Sequence, residues 1–584
     1  MENETSISRN PERAAKLSTV YGATKFILGS IVQIGEDLQF SATKYDALGN
    51  EITRQSVKAN KTEGIAKTIN DLIKTIVADE LKEAEYELGN LGALTSNNLE
   101  SLKLYLEGEQ AYRALNYRKA RELFTQATEV DSTFALAWMR LFQADSWIGF
   151  NANRGAKKKW AEYKHTMPSK WQMFYTATDL RSQADFKAIE SYKNLIRRYG
   201  DTPAFYYGLA EFYFHLNEAY GRSPTEAKPY LLKTIELDPG NQESLLHLGQ
   251  IAVLENDMEG MQLALSLRGE NYRGELEVME LIVKDAVTTA EIEHALTSTS
   301  STVFLSALYF VSEEKPFHNK LISRIIELRP SVNGERLANV ARFGTTGREK
   351  EGFEAWKEMG RIGWNFGVFS TEILARTMPA TLMAVEDFLP FSDHYESLYL
   401  DTKDRDTPFE TYAAIKYALA LNKRKEVRAL KEKLQSMDAT PLTSKMVKYF
   451  SFSIQAFEAK MAGENDKALA YIDSVYQNPI GFWETQCAFA DKSIMAANIH
   501  AEQGEYEKAI NYFNHSYSLL VAGDVMTGYR NYRLSQWYEA IGDTKNALTK
   551  CNIFLESYKN CDKKYQPWIE EVTARRDRLT TRMN

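Results

Sequence analysis

A turn-and-helix phrase repeats along this chain and constrains its fold more than any other feature. Gly463-Glu-Asn-Asp-Lys-Ala468-Leu-Ala-Tyr471 returns as Gly504-Glu-Tyr-Glu-Lys-Ala509-Ile-Asn-Tyr-Phe513 and again as Gly542-Asp-Thr-Lys-Asn-Ala547-Leu548. Its alanines lie 41 and 38 residues apart. A period of roughly 20–50 residues marks stacked supersecondary units, none of which can bury its apolar face alone. Arrays of that kind present extended surfaces and serve binding more often than catalysis. The expectation is a protein that recognises a partner.

At 584 residues the chain exceeds a single ordinary core, and 44% hydrophobic with 26% charged residues is the balance of a folded globular protein. A net charge of −8 argues against a nucleic-acid partner, which needs a concentrated basic face. Lys157-Lys158-Lys159 is the one compact basic run, and it reads as a solvated helix end. No stretch reaches the roughly 18 apolar residues of a membrane span. Met1-Glu-Asn-Glu-Thr5 lacks the basic start and apolar core of a signal peptide. Cys487, Cys551 and Cys561 lack zinc-ligand spacing and read as packing residues.

Residues 1–82 predict a small α+β domain. Asn10-Pro11 opens a short helix to about Tyr21. Lys25–Ile34, the turn Gly35-Glu36-Asp37 and the alternating run Leu38–Tyr45 form a hairpin, and Glu51–Ala59 adds a third strand. Over Thr62–Val77, Ile65, Ile69, Leu72, Ile73 and Ile76 share one helix face. Residues 83–98 read as a junction. Beyond it the period is helical: repeats over 99–265, a degenerate stretch over 266–404 with Gly352 and Trp356 as its marks, and regular repeats with a charged capping helix over 405–584. The fold class is therefore mainly α, an α-solenoid behind about three antiparallel strands and two helices.

Counted from Ser101, Leu104, Gly108, Ala120, Phe124 and Ala127 fall at positions 4, 8, 20, 24 and 27. This resembles the tetratricopeptide repeat, a helix–turn–helix of about 34 residues. Gly29-Ser-Ile-Val-Gln-Ile-Gly35-Glu-Asp-Leu-Gln-Phe40, followed by Asp46-Ala-Leu-Gly49, resembles the TolB amino-terminal-like domain. The pairing is similar to the C-terminal half of bacterial serine/threonine kinases, adenylate cyclases and transcriptional activators. In that family further elements, including a first strand, precede the helix that begins here at Pro11, so the domain is expected to be incomplete and its sheet edge to invite a second chain. The resemblance implies a cytoplasmic scaffold in bacterial signalling or, alternatively, the extracytoplasmic part of a membrane-anchored signalling protein.

Motifs that carry chemistry are not found. Gly344-Thr-Thr-Gly347-Arg-Glu-Lys350 lacks phosphate-loop spacing and reads as a surface loop, with Glu349 and Glu351 solvated. His215 and His247 belong to different repeats and are not expected to meet. Catalytic residues, metal ligands and cofactors are expected to be absent, and the chain is read as a non-enzyme. Positions 2, 5, 9, 12 and 13 of a tetratricopeptide unit's first helix line its concave side; the likeness places Leu102, Tyr105, Glu109, Tyr112 and Arg113 there, and Tyr529, Tyr532, Gln536, Glu539 and Ala540 in a later repeat. Of these, Tyr105, Glu109, Tyr112, Arg113, Tyr529, Tyr532 and Gln536 are the candidates for contact with a protein or peptide partner. Packing between repeats is the stronger reading of the tyrosines, with the hydroxyl reaching water. Trp364-Asn-Phe366-Gly-Val-Phe369 reads either as core filling or as a ligand pocket. The rival functions are a small-molecule-sensing module and an enzyme with an unrecognised site.

Overall fold

The protein was analysed as a computed structural model, which describes residues 11–20, 25–60, 98–113, 116–148, 154–167, 169–220, 222–268, 275–284, 287–298, 346–362, 369–383, 391–480, 490–514 and 522–583, with isolated positions between them. Two compact units emerge: 1–148 with 152–175, and 149–151 with 176–584.

In the first unit, helix α1 (Pro11–Val20) precedes strands β1 (Lys25–Ile34), β2 (Asp37–Asp46) and β3 (Glu51–Asn60), as the alternation and turn residues predict. The order is β1-β2-β3, antiparallel throughout, with Phe40 opposite Ile31 and Val57. Leu38, Phe40 and Ala42 of the central strand are buried with Ala59, Leu72 and Ile76. Of the helix expected over 62–77, Thr68, Ile69, Leu72 and Ile76 are described and are helical. The remainder lies outside the described residues, as does nearly all of the 83–98 junction.

Helices follow: α2 (Leu99–Arg113), α3 (Tyr117–Val130), α4 (Ala135–Ile148), α5 (Arg154–Tyr163) and α6 (Ser169–Ser182), within which the unit boundary falls. The second unit continues with α7 (Lys187–Tyr199), α8 (Pro203–Leu216), α9 (Lys228–Leu237), α10 (Gln242–Glu255), α11 (Met258–Ser266), α12 (Glu275–Val283) and α13 (Thr289–Ser298). Residues 299–345, in the stretch read as degenerate, are outside the described residues. Then come α14 (Glu349–Met359), α15 (Thr371–Leu382), α16 (Tyr395–Thr402), α17 (Pro408–Ala420), α18 (Arg424–Ser436), α19 (Pro441–Met461), α20 (Asn465–Tyr476), α21 (Ala490–Glu502), α22 (Tyr506–Asn514), α23 (Ala522–Ala540), α24 (Thr544–Ser557) and α25 (Gln566–Met583). A two-residue pair of strands, Asn365–Phe366 with Phe369–Ser370, sits before α15; the side chains of the Trp364–Phe369 cluster lie outside the described ones.

The recurring phrase has a local cause. Gly463, Gly504 and Gly542 adopt φ of 75°, 78° and 81°. The next residue's N–H then reaches back five positions: Glu464 to Ala459 O at 2.9 Å, Glu505 to His500 O at 2.8 Å, Asp543 to Tyr538 O at 2.9 Å. This left-handed cap ends one helix and aims the chain into the next. Asn422, at φ 55°, makes the same turn, with Lys423 N–H on Ala418 O at 2.8 Å. Five residues beyond each cap stand Ala468, Ala509, Ala547 and Val427, the alanines fully buried where paired helices meet. Gly108 is small for another reason: a β-carbon there would lie 2.6 Å from the Phe124 ring. The described helices thus build an α-solenoid of antiparallel pairs behind a small α+β element.

Two expectations for the second unit are corrected. Gly347 is not in a surface loop: its carbonyl accepts from Asp562 N–H at 3.0 Å, and a β-carbon on it would meet Tyr558 at 2.6 Å. Nor is Glu349 solvated. Its side chain is 13% exposed and accepts hydrogen bonds from Tyr565 Oη, Lys564 Nζ and, at 3.1 Å, Phe391 N–H. The capping helix α25 is therefore tied at its start to α14, more than 200 residues earlier.

Candidate functional site

The first helices of successive pairs are joined by a polar ladder with about one repeat of sequence between its partners. Arg140 of α4 donates from Nη2 to Glu109 Oε2 of α2 at 2.9 Å, 31 residues apart. Arg376 of α15 donates to Glu410 Oε1 of α17 at 2.7 Å, 34 apart. Arg533 of α23 donates to Asn498 Oδ1 of α21 at 2.7 Å, 35 apart. Arg575 of α25 donates to Glu539 Oε2 of α23 at 3.0 Å, 36 apart. Residues one repeat apart occupy the same register on neighbouring helices, so the ladder follows from the repeat itself.

The groove candidates sit on or beside this ladder. Tyr105 is buried, its ring 5.7 Å from Phe124 and 5.0 Å from Phe134. Tyr112 is buried edge-on to Tyr117 and lies beneath Arg140, whose guanidinium carbon is 5.2 Å from the ring centre. Glu109, 16% exposed, is held by Arg140, with Nε 2.6 Å from Oε1. The Arg113 side chain lies outside the described ones. Tyr529 is fully buried and donates to Asn498 Oδ1 at 3.1 Å; Tyr532 is buried, stacked on Trp568 at 4.6 Å, and donates to Glu571 at 2.7 Å. Gln536 donates to Glu571 Oε1 at 2.9 Å. These four tyrosines pack between helices, and Glu109 and Gln536 are the candidates that retain exposure.

Sequence reasoning missed two buried clusters. The histidines not expected to meet stand in one: Glu211 and His215, one turn apart on α8, converge with His247 of α10. His247 Nε2 lies 2.7 Å from Glu211 Oε1, and His215 Nε2 lies 3.7 Å from the same oxygen. Arg181 Nη1 is 3.4 Å from Glu211 Oε2, and His247 Nδ1 is 2.7 Å from Gln250 Oε1. Phe214 stacks on His247 at 4.2 Å and Phe482 meets His215 edge-on at 5.4 Å. Burial alone raises the Glu211 carboxyl, but His215, His247 and Arg181 outweigh it and hold the group well below the usual carboxylate range. Burial lowers His215 to about 3, against the attraction of Glu211. His247 is raised: burial opposes its charge, and the contact with Glu211 overrides burial. The signal was present in the spacing, since 211 and 247 differ by one repeat.

In the second cluster, fully buried Lys416 of α17 donates to Asp491 Oδ2 of α21 at 2.6 Å, and Tyr412 Oη donates to the same oxygen at 2.6 Å. Lys492 Nζ lies 2.8 Å from Asp491 Oδ1 and bonds Ala488 O. Burial pulls the Lys416 ammonium down to about 8, against the attraction of Asp491.

No family profile matches this chain, and no curated protein matches it. Among solved structures it is similar to the Cut9–Hcn1 hetero-tetramer of the APC/C: 14% identity, 83% of this chain and 84% of that one, TM-score 0.32. The TPR domain of P58(IPK) gives 14% identity, 71% and 99% coverage, TM-score 0.21. Yeast Tom70 gives 13% identity, 82% and 96% coverage, TM-score 0.24. At these values the likenesses carry no argument about what the chain binds. The fold class rests on its own helix pairs, and among the described residues no helix is long and apolar enough to cross a membrane.

Proposed function

We propose that this chain is a non-enzymatic scaffold that holds a segment of a protein or peptide partner along the first helices of its repeats. The observation that carries the reading is the polar ladder, four rungs that each join the first helices of neighbouring pairs, with aromatic rings beneath Arg140 and Arg533. Arginine and tyrosine in half-desolvated positions are the residues that anchor interfaces. In the first unit the contact residues are Glu109 and Arg140, with Tyr105 and Tyr112 as their packed support. The resemblance of Gly29–Phe40 and Asp46–Gly49 to the TolB-like domain supports a setting in bacterial signalling, in which an α+β module and a repeat array form one half of a kinase, cyclase or transcriptional activator.

The test is quantitative capture from the source cell by the full chain and by a Glu109→Ala/Arg140→Ala double variant. Removing both partners leaves no uncompensated charge, so the fold is retained. Partner capture falls by about fivefold or more while the melting curve stays in place. Unchanged capture by a folded double variant rejects this surface as the binding face.

A further inference from the structure

The buried cluster on α8 and α10 has the composition and layout of a metal centre. Three donor atoms, one each from Glu211, His215 and His247, lie within 4.8 Å of one another. Two imidazoles and a carboxylate are a common three-protein-ligand set for zinc, with a fourth position left for water or another donor. Metal–ligand bonds of about 2.0–2.1 Å put tetrahedral donors roughly 3.4 Å apart. The separations of 2.7 and 3.7 Å from Glu211 Oε1 bracket that edge, and the third, between the two imidazoles, lies within 4.8 Å. Placement is set by the backbone: residues four apart on α8 share a face, and α10 brings His247 to it from one repeat further on.

The outer contacts agree. Ligating imidazoles commonly donate their other N–H to a carbonyl or carboxylate, and ligating carboxylates are themselves hydrogen-bonded. Here His247 Nδ1 faces Gln250 Oε1 at 2.7 Å, and Glu211 Oε2 faces Arg181 at 3.4 Å. With Gln250 Oε1 accepting, Nδ1 is the donor to it, and Nε2 is the ring atom that faces Glu211 Oε1 at 2.7 Å. His215 brings a third donor atom, Nε2, to 3.7 Å from the same carboxylate oxygen. Imidazole and carboxylate together suit zinc and its first-row neighbours rather than calcium or magnesium.

We propose that Glu211, His215 and His247 bind one divalent transition-metal cation of the zinc type, bridging the first helices of two successive repeats.

The experiment uses the full chain stripped with chelator and dialysed against micromolar zinc, with bound metal measured by mass spectrometry and the unfolding midpoint recorded with and without zinc. The wild type is expected to bind one zinc per chain and to melt at higher temperature when loaded, since a ligand of the native state stabilises it by mass action. Cobalt(II) substituted for zinc is expected to give the intense visible bands of a tetrahedral nitrogen–oxygen site. His215→Gln, which keeps the Glu211–His247 contact, lowers zinc affinity at least tenfold and removes the cobalt bands. Equal zinc binding by the wild type and His215→Gln overturns the proposal, leaving only a protonated His247 paired with Glu211. Should His215→Gln fail to fold, the wild type decides alone: no bound zinc at micromolar concentration, or no tetrahedral cobalt spectrum, overturns it as well.

Discussion

Ala509 shows how a single methyl group sets the register of a repeat. It is fully buried in α22 with Ile510 and Phe513, five residues after the left-handed cap at Gly504. Ala509→Leu inserts three carbons into a closed contact and is expected to destabilise the second unit by roughly 1–3 kcal/mol. An unchanged denaturation midpoint would show that this helix face is misassigned. Lys416 supports a prediction of a different kind. Its folded pKa is pulled from 10.5 down to about 8, so at intermediate pH the unfolded chain holds a proton that the folded chain has released. Stability therefore rises with pH through that window. Lys492 is shifted in the same direction, and Tyr412, raised by burial and by Asp491, limits the window from above because its contribution is lost once the unfolded phenol ionises. Urea midpoints measured between about pH 8 and 10 should climb more steeply for the wild type than for Lys416→Met. Parallel curves would mean that Lys416 remains charged in the fold throughout.

Elements differ in how openly the sequence declares them. The strands were legible because alternation and the turns at Gly35 and Asp46–Gly49 are local; Gly35 adopts φ 66°, and Asp46 Oδ1 accepts from Asn50 N–H at 2.8 Å. Helix pairs were legible because cap and small residue recur at fixed offset. Cross-helix chemistry was not, because His215 and His247 meet only once the packing of α8 on α10 is known. The tyrosines were ambiguous for the same reason: the spacing that puts Tyr105 and Tyr112 on one face cannot say whether the next helix covers them. Exposure along β1 yields a prediction at this scale. Among the described residues it is an edge strand, carrying Ile27, Ile31, Val32 and Ile34 at 45–57% exposure, whereas β2 is paired on both sides. Unpaired edges exchange readily and invite another strand. In a monomeric sample, amides of β1 should exchange faster than those of β2, and protection of residues 25–58 equal to that of α21–α24 would refute this. A rise in β1 protection with protein concentration would identify the edge as the seat of self-association.

Over the second unit as a whole, stability is not the nearest-neighbour sum of an open array. Tyr220, after α8, lies tilted against Tyr476 of α20 at 5.7 Å, Gln183 accepts from Lys445 Nζ at 3.0 Å, and α14 holds the start of α25 through Glu349. Each contact joins segments more than 200 residues apart, so the closing of a long loop is spread over several points and the unit is expected to open cooperatively. Glu349 is the strongest place to test this, because one carboxylate receives Tyr565, Lys564 and the Phe391 amide. Glu349→Ala removes hydrogen bonds to a charged acceptor, each contributing about 1.5–3 kcal/mol. The consequence is predicted to appear in two places at once. Hydrogen exchange should accelerate both in α16, next to Phe391, and in α25, next to Tyr565, with α21 and α22 affected only through the global transition. Acceleration confined to residues 346–362 would show that the tie is incidental and that the ends of the unit are stable without it.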